Sequence, residues 1–115
     1  MIAAAETFRA LGDPVRLKMV KRLTRGRPCT IGAVSRGLGI TRQGARKHLQ
    51  VLADARLVAL KPKGRDVIVR LKPAALEPAK AFIAQLEKQW DRRLDALRRF
   101  LEEGEGPDAR GSRSK

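Results

Sequence analysis

Apolar residues over the first half of the chain recur at helical spacing, and residues that start or stop helices punctuate them. Ala4, Phe8 and Leu11 stand at i, i+4 and i+7, which predicts a short amphipathic helix ending at Gly12. Asp13 followed by Pro14 predicts a second start, because an Asp side chain accepts from free backbone N–H groups and Pro is pre-set for the first turn. Val15, Met19, Val20 and Leu23 form the apolar face of this second helix. Arg16, Lys18, Lys21 and Arg22 are expected in water, and Gly26 with Pro28 ends the segment. Thr30 caps a third helix that turns Ile31, Val34 and Leu38 inward, with Gly39 supplying the turn after it. Gly32 and Gly37 are expected to weaken it, each by about 1 kcal/mol relative to Ala. A fourth helix, capped by Thr41 and running to about Ala53, carries Ala45, Leu49 and Leu52 on one face. Arg42, Gln43, Arg46, Lys47 and Gln50 occupy the other, with no acidic residue interrupting them.

Past Leu57 the period changes. Leu57 to Lys61 and Val67 to Leu71 read as short strands joined by residues 62–66, a β-hairpin with Lys61, Lys63 and Arg65 about its tip. From Pro73 to Glu103 the helical period returns in a stripe of Leu76, Ile83, Leu86, Trp90, Leu94, Leu97 and Leu101. Thirty residues of helix would span about 45 Å, further than one small core reaches, so part of this stripe is expected to meet a second copy. Arg98 with Glu102 and Arg99 with Glu103 are spaced for weak i, i+4 pairs. Gly, Pro and Ser from Gly104 onward read as a disordered basic tail, leaving residues 1–103 as one domain.

Two short helices joined by a glycine turn, the second with an uncompensated basic face, form a helix-turn-helix, and the hairpin adds a wing. The expected fold is therefore mainly α with a small β-hairpin, a winged helix-turn-helix whose recognition helix is Thr41 to Ala53. Charge sharpens this reading. The formal net charge is +14. Residues 1–72 hold 17 Lys and Arg against four Asp and Glu, whereas residues 73–103 hold six of each. A field confined to the turn, helix and wing fits the phosphates of double-stranded DNA. The expected contact residues are Thr41, Arg42, Gln43, Arg46, Lys47 and Gln50, with Arg16 beside them and Lys61, Lys63 and Arg65 on the wing. Gln43 and Arg46 suit base edges, and Lys47 suits a phosphate. His48 borders the buried face, where packing, a hydrogen bond or a phosphate contact all fit.

Other function classes find little in the chain. One His, one Cys and no glycine-rich phosphate loop leave no evident nucleophile–base pair, so neither an enzyme nor a cofactor is expected. No apolar run reaches the length of a membrane span, and the start lacks a secretory pattern. With an unpaired Cys29, this places the chain in the cytoplasm, at the nucleoid. Cys29 reads as a small apolar loop residue or as a redox-responsive thiol, and Trp90 as an interface anchor or the wall of an effector pocket. The competing use of the same charge is non-specific, architectural nucleic-acid binding. Single-stranded RNA fits less well, since the basic region offers only Phe8 for stacking.

The run LGITRQGARKHLQVLADARLV, preceded by ALGDPVRLKMVKRL and followed by GRDVIVRL, resembles the ArsR-type winged helix-turn-helix repressors over roughly residues 3–101. The most specific elements are Gly12-Asp13-Pro14 with Arg16, the His48, Leu49 and Leu52 register, and Gly64-Arg65 at the wing turn. The resemblance implies a bacterial dimeric transcriptional repressor whose first and last helices form the dimer interface. Here that means Phe8 and Leu11 together with Ile83, Leu86, Trp90, Leu94 and Leu97. Many members of that family sense metals through paired cysteines, or through His and acidic residues on interfacial helices. One Cys and one His do not supply the three or four S or N ligands of a thiophilic site, so no metal ligands and no metal response are expected. Arg46 stands where the family usually has a small or hydroxyl residue, and Gly44 where helix formers are common, so an operator sequence does not carry over.

Overall fold

The computed structural model describes residues 2–25 and 27–103, so the expected tail at 104–115 lies outside the described residues. Among the described residues, those up to Lys80 form one compact unit and those from Ala81 onward a second. The first helix, α1 (Ile2–Leu11), buries Ala4, Thr7 and Ala10. This is a correction to the expected face, for Phe8 keeps 37% of its surface exposed. Small residues let the helix lie close to its neighbours. The buried Thr7 hydroxyl is satisfied by donating to the carbonyl oxygens of Ala3 at 3.0 Å and Ala75 at 3.4 Å. Helix α2 (Pro14–Leu23) starts as its sequence dictates, the Asp13 carboxylate accepting from the amides of Val15 at 2.8 Å and Arg16 at 3.2 Å.

Thr30 caps α3 (Ile31–Ser35) by accepting from the Ala33 amide at 3.1 Å. The helix stops before Leu38, which instead reaches the core from the turn beyond it. Gly37 and Gly39 both take positive φ there, +75° and +71°. Gly37 is therefore a requirement of the turn and no burden on the helix. Helix α4 (Arg42–Asp54) comes next. It ends in a Schellman motif in which the amides of Leu57 and Arg56 donate to Leu52 and Ala53, both at 2.9 Å, with Arg56 at φ 65°.

Leu57 therefore belongs to that helix end, and both strands run closer to the turn than expected: β2 spans Val58–Lys63 and β3 spans Asp66–Leu71. Lys63 pairs with Asp66, which leaves Gly64 and Arg65 as a two-residue turn. Gly64 at φ 61° meets the positive φ that primed hairpin turns demand at their first position. A further strand, β1 (Cys29–Thr30), pairs antiparallel with β3, so the sheet order is β1-β3-β2. Pro62 is tolerated because β2 is an edge strand. Alternation turns Val58, Leu60, Val67, Val69 and Leu71 to the core, while Lys61, Lys63, Ile68 and Arg70 share the outer face. Met19, Val34, Leu49, Leu52, Leu57 and Val69 are fully buried at its centre. A short 3-10 turn at Pro73–Leu76 precedes α5 (Glu77–Glu103), so the long helix begins four residues later than Pro73.

Candidate nucleic-acid interface

Helix α4 is amphipathic in the strict sense. Ala45, Leu49 and Leu52 have no exposed surface, and Arg42, Gln43, Arg46 and Lys47 are all exposed on the far side. Its first turn is closed by the Thr41 hydroxyl, which accepts from the Gly44 amide at 2.9 Å. A side chain at Gly44 would bring its Cβ to 3.2 Å from that hydroxyl, so the glycine leaves room around the cap. The start of the helix is thus fixed while its basic side chains stay in solvent.

The C-terminal end of the same face differs from expectation. Because α4 continues through Asp54, an acidic group does stand on the polar face, and it accepts a hydrogen bond from Gln50 Nε2 at 2.9 Å. Gln50 is thereby tied to its own helix, one turn from the end, whereas Gln43 and Arg46 lie in the first half. On the wing, Lys61 and Lys63 project from the outer face of β2, and Arg65 occupies the turn. Lys63 has Asp66 directly opposite in the ladder. The six remaining expected residues, Arg42, Gln43, Arg46, Lys47, Lys61 and Arg65, are exposed, with no side-chain hydrogen bond or ion pair to another described residue.

Arg16 departs from the water-facing position the sequence predicts. It is half-buried, and its guanidinium donates to the backbone carbonyl oxygens of Ala10, through Nε, and of Arg9, through Nη2 at 3.4 Å. Nη1 lies 3.2 Å from His48 Nδ1 on α4. Arg22, one and a half turns later, is also half-buried and donates through Nη1 to the carbonyl oxygens of Val34 at 3.1 Å and Arg36 at 2.7 Å. Helix ends leave carbonyls without intrahelical partners. One arginine of α2 therefore closes the end of α1, and the other closes the end of α3. The sequence signals neither role, because the acceptors are backbone carbonyls of neighbouring helices and turns, reached only once the helices pack.

Electrostatics at the start of α2 favour an ionised Asp13. Burial alone would raise its carboxyl, but the donated amides of Arg16 and Val15, with the charges of His48 and Arg16, together hold it below the ordinary carboxylate value. Cys29 lies in β1, half-buried on the core side of the sheet, and its thiol donates to the Arg27 carbonyl at 3.4 Å. On α5, Ile83, Leu86, Trp90, Leu94 and Leu97 are all exposed, Trp90 by 60%. Their spacing of three or four residues lines them along one side of the helix. No described helix is long and apolar enough to cross a membrane.

Comparison with known proteins agrees with this geometry. A family described as a helix-turn-helix domain matches residues 11–61, the span from the end of α1 into β2. The chain is 34% identical over 101 residues to the HTH-type transcriptional regulator Rv2034 of Mycobacterium tuberculosis, a match covering 88% of this chain and 90% of that protein. Among solved structures, an ArsR-like transcriptional regulator from Rhodococcus sp. RHA1 aligns with a TM-score of 0.67 at 28% identity, over 85% of this chain and 92% of that one. The homodimeric winged helix-turn-helix domain Mb0332 of Mycobacterium bovis shares the fold, with a TM-score of 0.56 at 23% identity over 82% of this chain and 83% of that one. With its capped helix α4, basic wing and these relatives, the chain belongs to the ArsR family of winged helix-turn-helix, DNA-binding transcriptional regulators.

Proposed function

We propose that the chain acts as a homodimeric, sequence-specific repressor in the cytoplasm, placing two copies of α4 in successive major grooves about 34–36 Å apart. One observation carries this: the first half of α4 presents Arg42, Gln43, Arg46 and Lys47 to solvent while its opposite face is wholly buried. A rigid helix with side chains free at its N-terminal half is the geometry that reads base edges. Gln43 and Arg46 take that role, Thr41, Arg42 and Lys47 hold phosphates, and Lys61, Lys63 and Arg65 of the wing track the neighbouring backbone. Gln50, held by Asp54, stands at the margin of the contact. The dimer interface is formed by Phe8 and Leu11 of α1 and by Ile83, Leu86, Trp90, Leu94 and Leu97 of α5. The solved relative from Mycobacterium bovis, itself homodimeric, has this fold. The protein answers to no metal, since one Cys and one His do not make a thiophilic ligand set.

The test is a comparison of Arg46→Ala with Lys63→Ala on a duplex enriched by the wild-type chain from a randomised library. Arg46→Ala is expected to cost about 1–3 kcal/mol and relax the preference at one base pair. Lys63→Ala is expected to weaken all duplexes alike and flatten the salt dependence by about one contact. Uniform weakening by both would support the architectural, non-specific reading instead.

A further inference from the structure

We propose that Arg16 and His48 form a positioning pair that holds the recognition helix against the end of α1, and that protonation of His48 releases it. The inference rests on the reading of α4 as the recognition helix. The guanidinium of Arg16 touches three elements at once: its own helix α2 carries it, the carbonyl oxygens of Arg9 and Ala10 at the end of α1 accept from it, and Nδ1 of His48 on α4 faces it at 3.2 Å. Arginine only donates, so Nδ1 must accept, and the His48 proton resides on Nε2. The bridge therefore exists only while the imidazole is neutral. A second proton would set an N–H against an N–H at the same distance.

Charged groups face the pair from the elements around it. From α2, Asp13 interacts with both His48 and Arg16. From α1, Glu6 and Arg9 line, with Asp54 of α4, the groove past Val51, one turn further along α4. α3 carries no charged residue, and β2 carries only Lys61 and Lys63. No second acceptor on α4 replaces Nδ1 for Arg16 among the described hydrogen bonds. Arg16 would then hold α1 alone, and α4 would lose the tie that sets its base-reading side chains in place.

The proposal has a distinctive sign. A histidine that touches phosphate tightens DNA binding when it gains charge; a positioning histidine loosens specific binding. His48 is the chain's one histidine, so replacing it isolates its part in any pH dependence of binding between pH 7.5 and 5.5. The experiment measures affinity for the duplex enriched by the wild-type chain at pH 7.5 and for a scrambled duplex of equal length, at fixed ionic strength across that interval. The preference for the enriched duplex is expected to fall about tenfold for the wild type, the scale set by losing a charge-assisted hydrogen bond. His48→Asn, whose Oδ1 stands where Nδ1 does and does not titrate, is expected to flatten the profile. Arg16→Lys keeps the charge without the fork, and is expected to lower the preference already at pH 7.5 and to remove its pH dependence. A wild-type preference that is constant or rises on acidification overturns the proposal, as does a His48→Asn profile parallel to the wild type. These two outcomes do not depend on Arg16→Lys folding. A chain that enriches no duplex at all overturns the functional reading and this inference with it.

Discussion

Asp13 begins α2 and also sits within the field of Arg16 and His48, so one carboxylate serves both a helix start and the corner where α2 meets α4. Its ionised form is the better acceptor for the two amides, which is why its folded value lies below the unfolded one. For a depressed carboxylate, the added stability is fully present above the unfolded value, about 3.9, and is lost as pH falls through the folded value. Asparagine caps a helix nearly as well and carries no charge. Thermal unfolding monitored between pH 6 and pH 3 is therefore expected to show a larger fall in Tm for the wild type than for Asp13→Asn. Equal falls would mean that the ionised carboxylate contributes nothing beyond the cap. Arg22 shows the same economy at the other end of the helix, where a cation expected in solvent satisfies carbonyls of α3 and the turn after it.

Among the elements, α4 is the most constrained, with a threonine cap at one end and a Schellman motif at the other. That second end carries the one strained residue of the described backbone, Arg56 at φ 65° where glycine is the usual occupant. Arg56→Gly is expected to raise stability by about 0.5–1 kcal/mol, the cost of left-handed backbone for a residue with a Cβ less the extra freedom glycine has when unfolded. Chemical denaturation measures it, and a loss of stability would show that the Arg56 side chain makes a contact worth more than the strain. Much of the element order is legible in the sequence because its signals are local: Asp13-Pro14, Thr30 and Thr41 each act on amides two or three residues away. The illegible parts depend on partners far along the chain. β1 is two residues long and shows no period, and it becomes a strand only because Val69 and Ile68 of β3 lie beside it. Leu38 keeps helical spacing but is carried inward by a turn that needs Gly37 and Gly39 at positive φ. The basic face of the candidate site is readable from residue type and spacing; the inward turn of Arg16 is not, and the Gln50–Asp54 bond, although at local i, i+4 spacing, is lost when the helix is ended at Ala53.

At the scale of the whole molecule, the charge asymmetry of the sequence separates a basic unit, on which the proposed DNA contacts lie, from a helix whose charges balance. Along α5, Ile83, Leu86, Trp90, Leu94, Leu97 and Leu101 keep 43–61% of their surfaces exposed in the single chain. Fully burying a large apolar side chain is worth about 1.5–3 kcal/mol, so covering the exposed half of each yields about 1 kcal/mol apiece. Six from each of two copies total on the order of 10 kcal/mol, within the range of about 4–15 kcal/mol that association costs in lost freedom, so the quality of packing decides how tight the proposed dimer is. Such a balance is sensitive to a single buried charge. Wild-type protein is expected to sediment at twice its 12.7 kDa chain mass at micromolar concentration, and Leu94→Glu as the single chain. Because Leu94 lies outside residues 1–80, Leu94→Glu is expected to leave the fold of the basic unit unchanged, which circular dichroism checks. Losing the dimer should then remove the joint engagement of two half-sites, leaving a monomer that binds one half-site with weak affinity. A wild type that sediments as a single chain would overturn the dimer, and a Leu94→Glu variant that remains dimeric and binds the full site unimpaired would place the interface elsewhere.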